Sequence, residues 1–170
     1  MIQRARFEQR IPEPLERVFS FFSEPLNLPR LMPPELAAEI VTVRKVLPPS
    51  PETATASSAA GIGTEISLSV RLLPLMPFRT RWVARIVEFE RNRHFVDVQA
   101  KGPFRRWRHR HEFESSERDG QPGTLVRDDL EYDVGFGFLG DVVAKWLVAR
   151  KVQSTFTARQ QRLEALLGGT

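Results

Sequence analysis

The sequence predicts an α+β protein in which one antiparallel sheet carries its helices on a single face. Three observations lead there. From Gly61 to Val134 nearly every segment alternates apolar and polar residues and is bounded by short breaks with turn chemistry. One long proline-free stretch after Asp141 repeats apolar residues at three- and four-residue steps. Between the first strand and the others only short, proline-broken helical segments fit. Short connections between consecutive strands give an antiparallel meander, which buries its apolar face against helices.

The elements follow in order. "IQRARFEQRI" alternates imperfectly and reads as a strand closed by Pro12 and Pro14, and Pro14 suits the first turn of a helix. "PLERVFSFFS" then sets Leu15, Val18, Phe19 and Phe22 at helical spacing. Prolines 25, 29, 33 and 34 reduce the next stretch to one or two short helical turns. "AAEIVTVRKVL" reads as the second strand. Residues 48–60 hold Pro, Ala, Ser and Thr without a core former, and read as a flexible loop insertion. Five further strands follow, "TEISLSVRLL", "FRTRWVARIVEF", "HFVDVQAK", "FRRWRHRHEFES" and "TLVRDDLEYDV", with breaks at "PLMP", "ERNR", "GP" and "SERDGQPG". The last helix starts at Asp141 and stops before Gly168 and Gly169. It is expected to show one face made of Leu139, Val142, Val143, Trp146, Leu147, Phe156, Leu163 and Leu166.

At 170 residues the chain is expected to form one domain, 1–170, with a core of its own. Apolar residues make up 41% and charged residues 27%, values of an ordinary globular protein. There is no cysteine, which removes disulfide and thiolate chemistry. The N-terminus lacks the apolar core of a signal peptide, and no run approaches the roughly 20 apolar residues of a membrane span. A cytoplasmic location is the resulting expectation. Net charge is only +4, although arginine outnumbers lysine 21 to 4. Acidic residues are interspersed with the basic ones, so no nucleic-acid partner is expected.

The stretch "GPFRRWRHRHEFES" tests that last point. Alternate residues of a strand share a face. Arg105, Trp107, His109, His111 and Phe113 therefore lie on one side, and Arg106, Arg108, Arg110 and Glu112 on the other. A half-buried strand turns its charged row to water, so the histidines face inward. The following strand sorts into Val126, Asp128, Leu130, Tyr132 and Val134 inside. Pairing Phe113 with Val126 sets His111 opposite Asp128, His109 opposite Leu130 and Trp107 opposite Tyr132. On the outer face the same register opposes Arg110 and Arg108 to Asp129 and Glu131. The strand before leaves two registers. A two-residue connection turns Val96 and Val98 inward, as the apolar pattern favours, and a three-residue one sets Asp97 opposite His109. Asp97 and Gln99 remain lesser candidates.

These features resemble the SRPBCC superfamily of START-like helix-grip proteins, in particular small bacterial cyclase/dehydrase-like members. The resemblance runs from "FEQRIPEPLERVFSFFSEPLNLPRLMPPEL" through "FVDVQAKGPFRRWRHRHEF" to "DDLEYDVGFGFLG" and "FTARQQRLEAL". It implies a helix-grip fold, a seven-stranded antiparallel sheet curved around the C-terminal helix with two short helices after the first strand. It also implies a hydrophobic cavity for a lipid, quinone, polyketide or similar molecule. The leading expectation is a non-enzymatic binder. The alternative is a cyclase/dehydratase-type enzyme using His111 and His109 with Asp128, and a third possibility is an interaction module without a ligand.

The candidate ligand-binding residues are Trp82, Trp107, His109, His111, Asp128, Tyr132 and Trp146, with Phe19 and Phe22 as further apolar wall. No cofactor and no metal are expected. His109 and His111 project in parallel as a chelating pair would, but a third ligand is needed, with Asp128 well placed and His94 less so. Arg159 reads as either a salt-bridging anchor of the helix or a solvated side chain. The apolar run at 72–78 suits a cavity rim, a transient membrane contact or a homodimer contact.

Overall fold

The structure is a computed structural model that describes residues 1–48, 60–71, 78–134 and 141–168, the side chains of 141–145 excepted. The expected loop at 48–60 and the apolar run at 72–78 fall almost wholly outside these residues, as do Leu139 and the side chains of Val142 and Val143.

Seven strands form one antiparallel sheet: β1 Gln3–Ile11, β2 Glu39–Arg44, β3 Glu65–Val70, β4 Thr80–Glu90, β5 His94–Lys101, β6 Arg106–Arg118 and β7 Gln121–Asp133. Their spatial order is β1-β7-β6-β5-β4-β3-β2, so the first strand joins the last and the rest is a meander. The crossover from β1 to β2 carries α1, Leu15–Ser23, and α2, Leu28–Leu31, with a 3-10 turn after each. The chain closes with α3, Asp141–Leu167. Register shifts in β2 between Ile40 and Thr42, and at two places in β4, add the local bends that bulges give a sheet.

The β6–β7 hairpin is longer than the sequence suggests. Asp119 (φ 54°) and Gly120 (φ 72°) form a two-residue turn of the kind that matches strand twist. The segment expected as a loop, Ser116 to Gly123, is therefore ladder, with Ser116 opposite Gly123 and Arg118 opposite Gln121. The inner register agrees with expectation at every position: His111 faces Asp128, His109 faces Leu130 and Trp107 faces Tyr132. Gly123 admits no side chain, because a Cβ there would lie 2.8 Å from the Ile11 carbonyl oxygen.

β5 takes the register that the apolar pattern disfavours. Asp97 lies opposite His109 and Phe95 opposite His111, so Phe95, Asp97 and Gln99 share the inner face. Val96 is nonetheless fully buried on the outer face. It sits between Glu88 and Arg110, whose ion pair at 3.2 Å spans it. The long stems of such pairs cover apolar surface while their charged heads stay wet. Gln99 is structural: its amide donates to the Phe104 carbonyl at 2.7 Å and its carbonyl accepts from the Phe104 N–H at 3.2 Å.

Phe19 and Phe22 on α1, Phe113 and Val126 on the hairpin, and Leu163 and Leu167 on α3 form one core cluster. Phe19 meets Phe89, Phe95 and Phe113 edge-on, with centroids 5.2–6.3 Å apart. A second cluster joins Phe7, Leu130 and Tyr132 to Val152 and Phe156, and Phe7 stacks on Phe156 at 4.3 Å. α3 thus buries Val152, Phe156, Arg159, Leu163 and Leu167 at three- and four-residue steps. Phe19→Ala is expected to cost about 3–5 kcal/mol of stability, the range for deleting a buried aromatic ring, read as a lower midpoint in urea unfolding at unchanged slope.

Candidate functional site

Strand register assembles the site. β5, β6 and β7 lie side by side, and on their inner face Asp97, His109, His111 and Asp128 fall next to one another. The two histidine rings lie with centroids 3.8 Å apart. Asp128 Oδ1 lies 3.0 Å from His109 Nε2 and 2.7 Å from His111 Nδ1. The other nitrogens turn to Asp97 Oδ2, His111 Nε2 at 3.3 Å and His109 Nδ1 at 3.8 Å. Each histidine therefore bridges the same two aspartates.

α3 supplies the counter-charge. Arg159 Nη2 lies 3.6 Å from Asp128 Oδ1 and 3.4 Å from His111 Nδ1, and its guanidinium lies over the rings of Phe22 and Phe156. Burial alone would raise the Asp128 carboxyl. Arg159, with hydrogen bonds from His109 and His111, outweighs burial and holds it well below the usual carboxylate range. An ionised carboxylate only accepts, so the histidine nitrogens facing Asp128 carry the hydrogens. Burial, reinforced by the neighbouring His111, lowers His109 to about 4. His109 is therefore a neutral imidazole near pH 7.

This polar cluster borders a cavity of about 450 Å³ between the sheet and α3, within the roughly 300–1,000 Å³ of small-molecule sites. Its walls are mainly apolar: Phe22, Leu31, Met32, Ile66, Leu68, Ile86 and Phe95, with Leu147, Val148 and Val152 from α3. Trp82, Phe104 and Trp107 also line it and touch one another at 4.8–5.5 Å between centroids. Asp97, His109, His111 and Arg159 supply charge and hydrogen bonds to an otherwise greasy interior.

The family model described as polyketide cyclase/dehydrase and lipid transport matches residues 11–161. The chain belongs to this family. Solved structures with the same START-like helix-grip fold include TTHA0849 from Thermus thermophilus (21% identity, 96% of this chain and 99% of that one, TM-score 0.60). A START superfamily protein from Mycobacterium smegmatis gives 17% identity over 96% and 98% of the two chains, with a TM-score of 0.63. Ara h 8.0201 gives 13% identity over 97% and 99%, with a TM-score of 0.59. No curated protein matches the sequence.

Within this family member, five of the residues singled out from sequence occupy the expected face. Trp82, Trp107, His109, His111 and Phe22 line the cavity. Asp128 and Tyr132 are buried one layer behind it, Asp128 among the histidines and Tyr132 against Phe7 and Phe156; burial raises the tyrosine's pKa. Phe19 belongs to the core. Trp146 departs from expectation: it is 57% exposed and packs under Arg150, while the next residue, Leu147, reaches the cavity. Trp146, Leu147 and Val148 are consecutive, and successive residues point in different directions around a helix, so not all of them can face inward. His94 belongs to another group, beside Glu88 and Glu90. The residue that sequence reasoning undervalues is Arg159. Its signal is positional: three residues after Phe156 and four before Leu163, it falls on the buried stripe.

Among the described residues, Asp97, His109 and His111 form the group with metal-ligand spacing, their donor atoms all within 4.8 Å of one another. Asp97 therefore stands where the sequence puts Asp128 as third donor. The outer arginines are ion-paired, Arg108 to Glu88 at 2.8 Å and Arg110 to Glu112 at 2.7 Å.

Arg159→Met strands Asp128 as an uncompensated buried charge and should cost about 3–5 kcal/mol, read by denaturant unfolding at pH 7. The pH dependence follows from His109, whose neutral form the fold favours. The unfolded chain takes up the proton near pH 6.5 and the folded chain only near 4, so stability falls as pH drops through that window. Asp128 acts in the same direction at lower pH, because its stabilisation is present above its unfolded pKa and lost as pH falls further. Unfolding curves at pH 7 and pH 5, with a chelator present, should show this loss in the wild type and less of it in His109→Gln.

Proposed function

We propose that this protein binds a hydrophobic small molecule, a lipid, quinone, polyketide or similar compound, between the sheet and α3. The observation that carries the proposal is the apolar cavity of about 450 Å³ with a few oriented polar groups on one wall. Apolar walls take up the body of the ligand and favour it over water by about 25 cal/mol for each Å² buried. The aromatic group Trp82, Phe104 and Trp107 supplies flat surfaces against which a ring or polyene stacks. Asp97, His111 and Arg159 fix the position of a ligand carbonyl or hydroxyl. Family membership supports the binding of such a molecule. The proposal includes a cytoplasmic location, a single domain over 1–170 and no nucleic-acid partner. The ion pairing of the outer arginines favours that last point.

A second reading has its own observation. His109 and His111 border the cavity with their tautomers set by Asp128, an arrangement suited to moving a proton on a bound polyketide, as a cyclase or dehydratase does. In that reading His111 Nε2 is the proton acceptor and Asp128 orients it from behind. Turnover of a candidate polyketide or quinone that survives His111→Ala unchanged would remove this reading and leave the first intact.

For the binding reading, native mass spectrometry of protein purified from its own host should show a co-purifying hydrophobic compound. Ala84→Phe, which fills the cavity from β4, should weaken binding of a fluorescent fatty acid at least tenfold without lowering the unfolding midpoint. Protein that carries no ligand, and whose Trp82 and Trp107 emission does not respond to lipids or quinones, would overturn it.

A further inference from the structure

We infer that Asp97, His109 and His111 form a binding site for one divalent transition-metal ion of the Zn²⁺, Co²⁺ or Fe²⁺ type, open to the cavity. The site would use two imidazole nitrogens and one carboxylate oxygen.

The inference starts from an arrangement that protein groups alone satisfy poorly. His111 Nε2 and His109 Nδ1 both face one oxygen, Asp97 Oδ2, at 3.3 and 3.8 Å. The opposite nitrogens already give their hydrogens to Asp128. Each approach of a ring nitrogen to the Asp97 carboxylate needs a proton or a cation between the two atoms. A single cation serves both approaches at once.

Both separations from Asp97 come close to those around one ion. Ligand atoms about 2.0–2.1 Å from a tetrahedral ion lie roughly 3.3–3.4 Å from each other. The His111–Asp97 separation has that value, and the His109–Asp97 separation needs to shorten by a few tenths of an ångström. The donors come from adjacent strands, with Asp97 directly opposite His109, so backbone register fixes them. Two imidazoles with one carboxylate select borderline transition metals over Mg²⁺ or Ca²⁺, which prefer oxygen alone.

The surroundings also match a metal site. A ligating histidine usually donates its second nitrogen to a carboxylate, which fixes the tautomer and strengthens the ligand. Asp128 does this for both histidines, and Arg159 balances its charge. On the remaining side the three ligands open into the cavity, leaving a coordination position for water or an oxygen of the bound molecule. An ion there would occupy the nitrogen that the proton-transfer reading needs, so metal binding and that reading exclude each other in the loaded protein.

The inference stands apart from the hydrophobic-ligand reading, because the metal is tested alone. Full-length protein stripped with chelator is dialysed against Zn²⁺ or Co²⁺, and bound metal is counted by plasma mass spectrometry. One ion per chain is expected, with Co²⁺ giving the visible absorption of a low-symmetry site. Asp97→Asn and His109→Gln should each lower the affinity at least tenfold. Asp97 is only half-buried, so Asp97→Asn carries the test if His109→Gln fails to fold, as circular dichroism would show. His94→Gln alters the separate group with Glu88 and Glu90 and should leave the affinity unchanged. Metal-free wild type after dialysis, or binding that Asp97→Asn leaves intact, would overturn the inference.

Discussion

The buried carboxylate of Asp128 is the constraint to which the interior is fitted. A charge moved from water into an apolar core costs several kcal/mol unless partners replace its hydration. Here three partners converge on one oxygen: His109 and His111 from β6, and Arg159 from α3. The consequence reaches beyond the site. The arginine can reach Asp128 only if α3 lies across the sheet at one rotation and one height, and the same rotation directs Phe156 and Leu163 into their clusters. Apolar packing alone tolerates sliding of a helix on a sheet. A point-to-point ion pair within it does not.

This arrangement also separates holding the fold from holding a ligand. Asp128 and Tyr132 lie behind the wall, while Asp97, His109 and His111 line the cavity. Each imidazole thus has one nitrogen committed to Asp128 behind the wall and the other turned to Asp97 at the cavity. The partners that fix the polar wall all belong to the protein, so its geometry is set before anything enters, which is what pre-organisation requires.

Much of this is legible in the amino-acid order, and the remainder has physical reasons. The hairpin of β6 and β7 is readable because two strands with strict period-two alternation pair in only one way that buries both apolar rows. Asp128 opposite His111 follows from that alone. β5 misleads because Val96 is apolar and buried, yet lies on the outer face beneath a Glu88–Arg110 pair. Alternation assigns a residue to a side by its own polarity and takes no account of long charged neighbours that roof it. The consequence is to rank Asp97 below the valines, although it borders the cavity. Trp146 misleads for a related reason, since a run of apolar residues longer than one helical stripe does not say which of them is inside. Arg159 is visible by position and discounted by charge. The partner that makes its burial tolerable lies 31 residues earlier in the chain, on another element.

The helix that closes the cavity is anchored unevenly. From Val152 to Leu167 it is tied by two core clusters and the Arg159 pair, whereas Trp146 and Leu147 are more than half exposed. The free energy needed to lift a segment away follows the apolar contact it would surrender. It therefore rises along α3 from the Trp146 turn toward Leu163. Leu147 and Val148, which border the cavity, belong to the loosely held part. Movement of that turn alone would uncover the side of the cavity that Leu147 and Val148 border. The ion pair on the same helix holds its other half in place meanwhile.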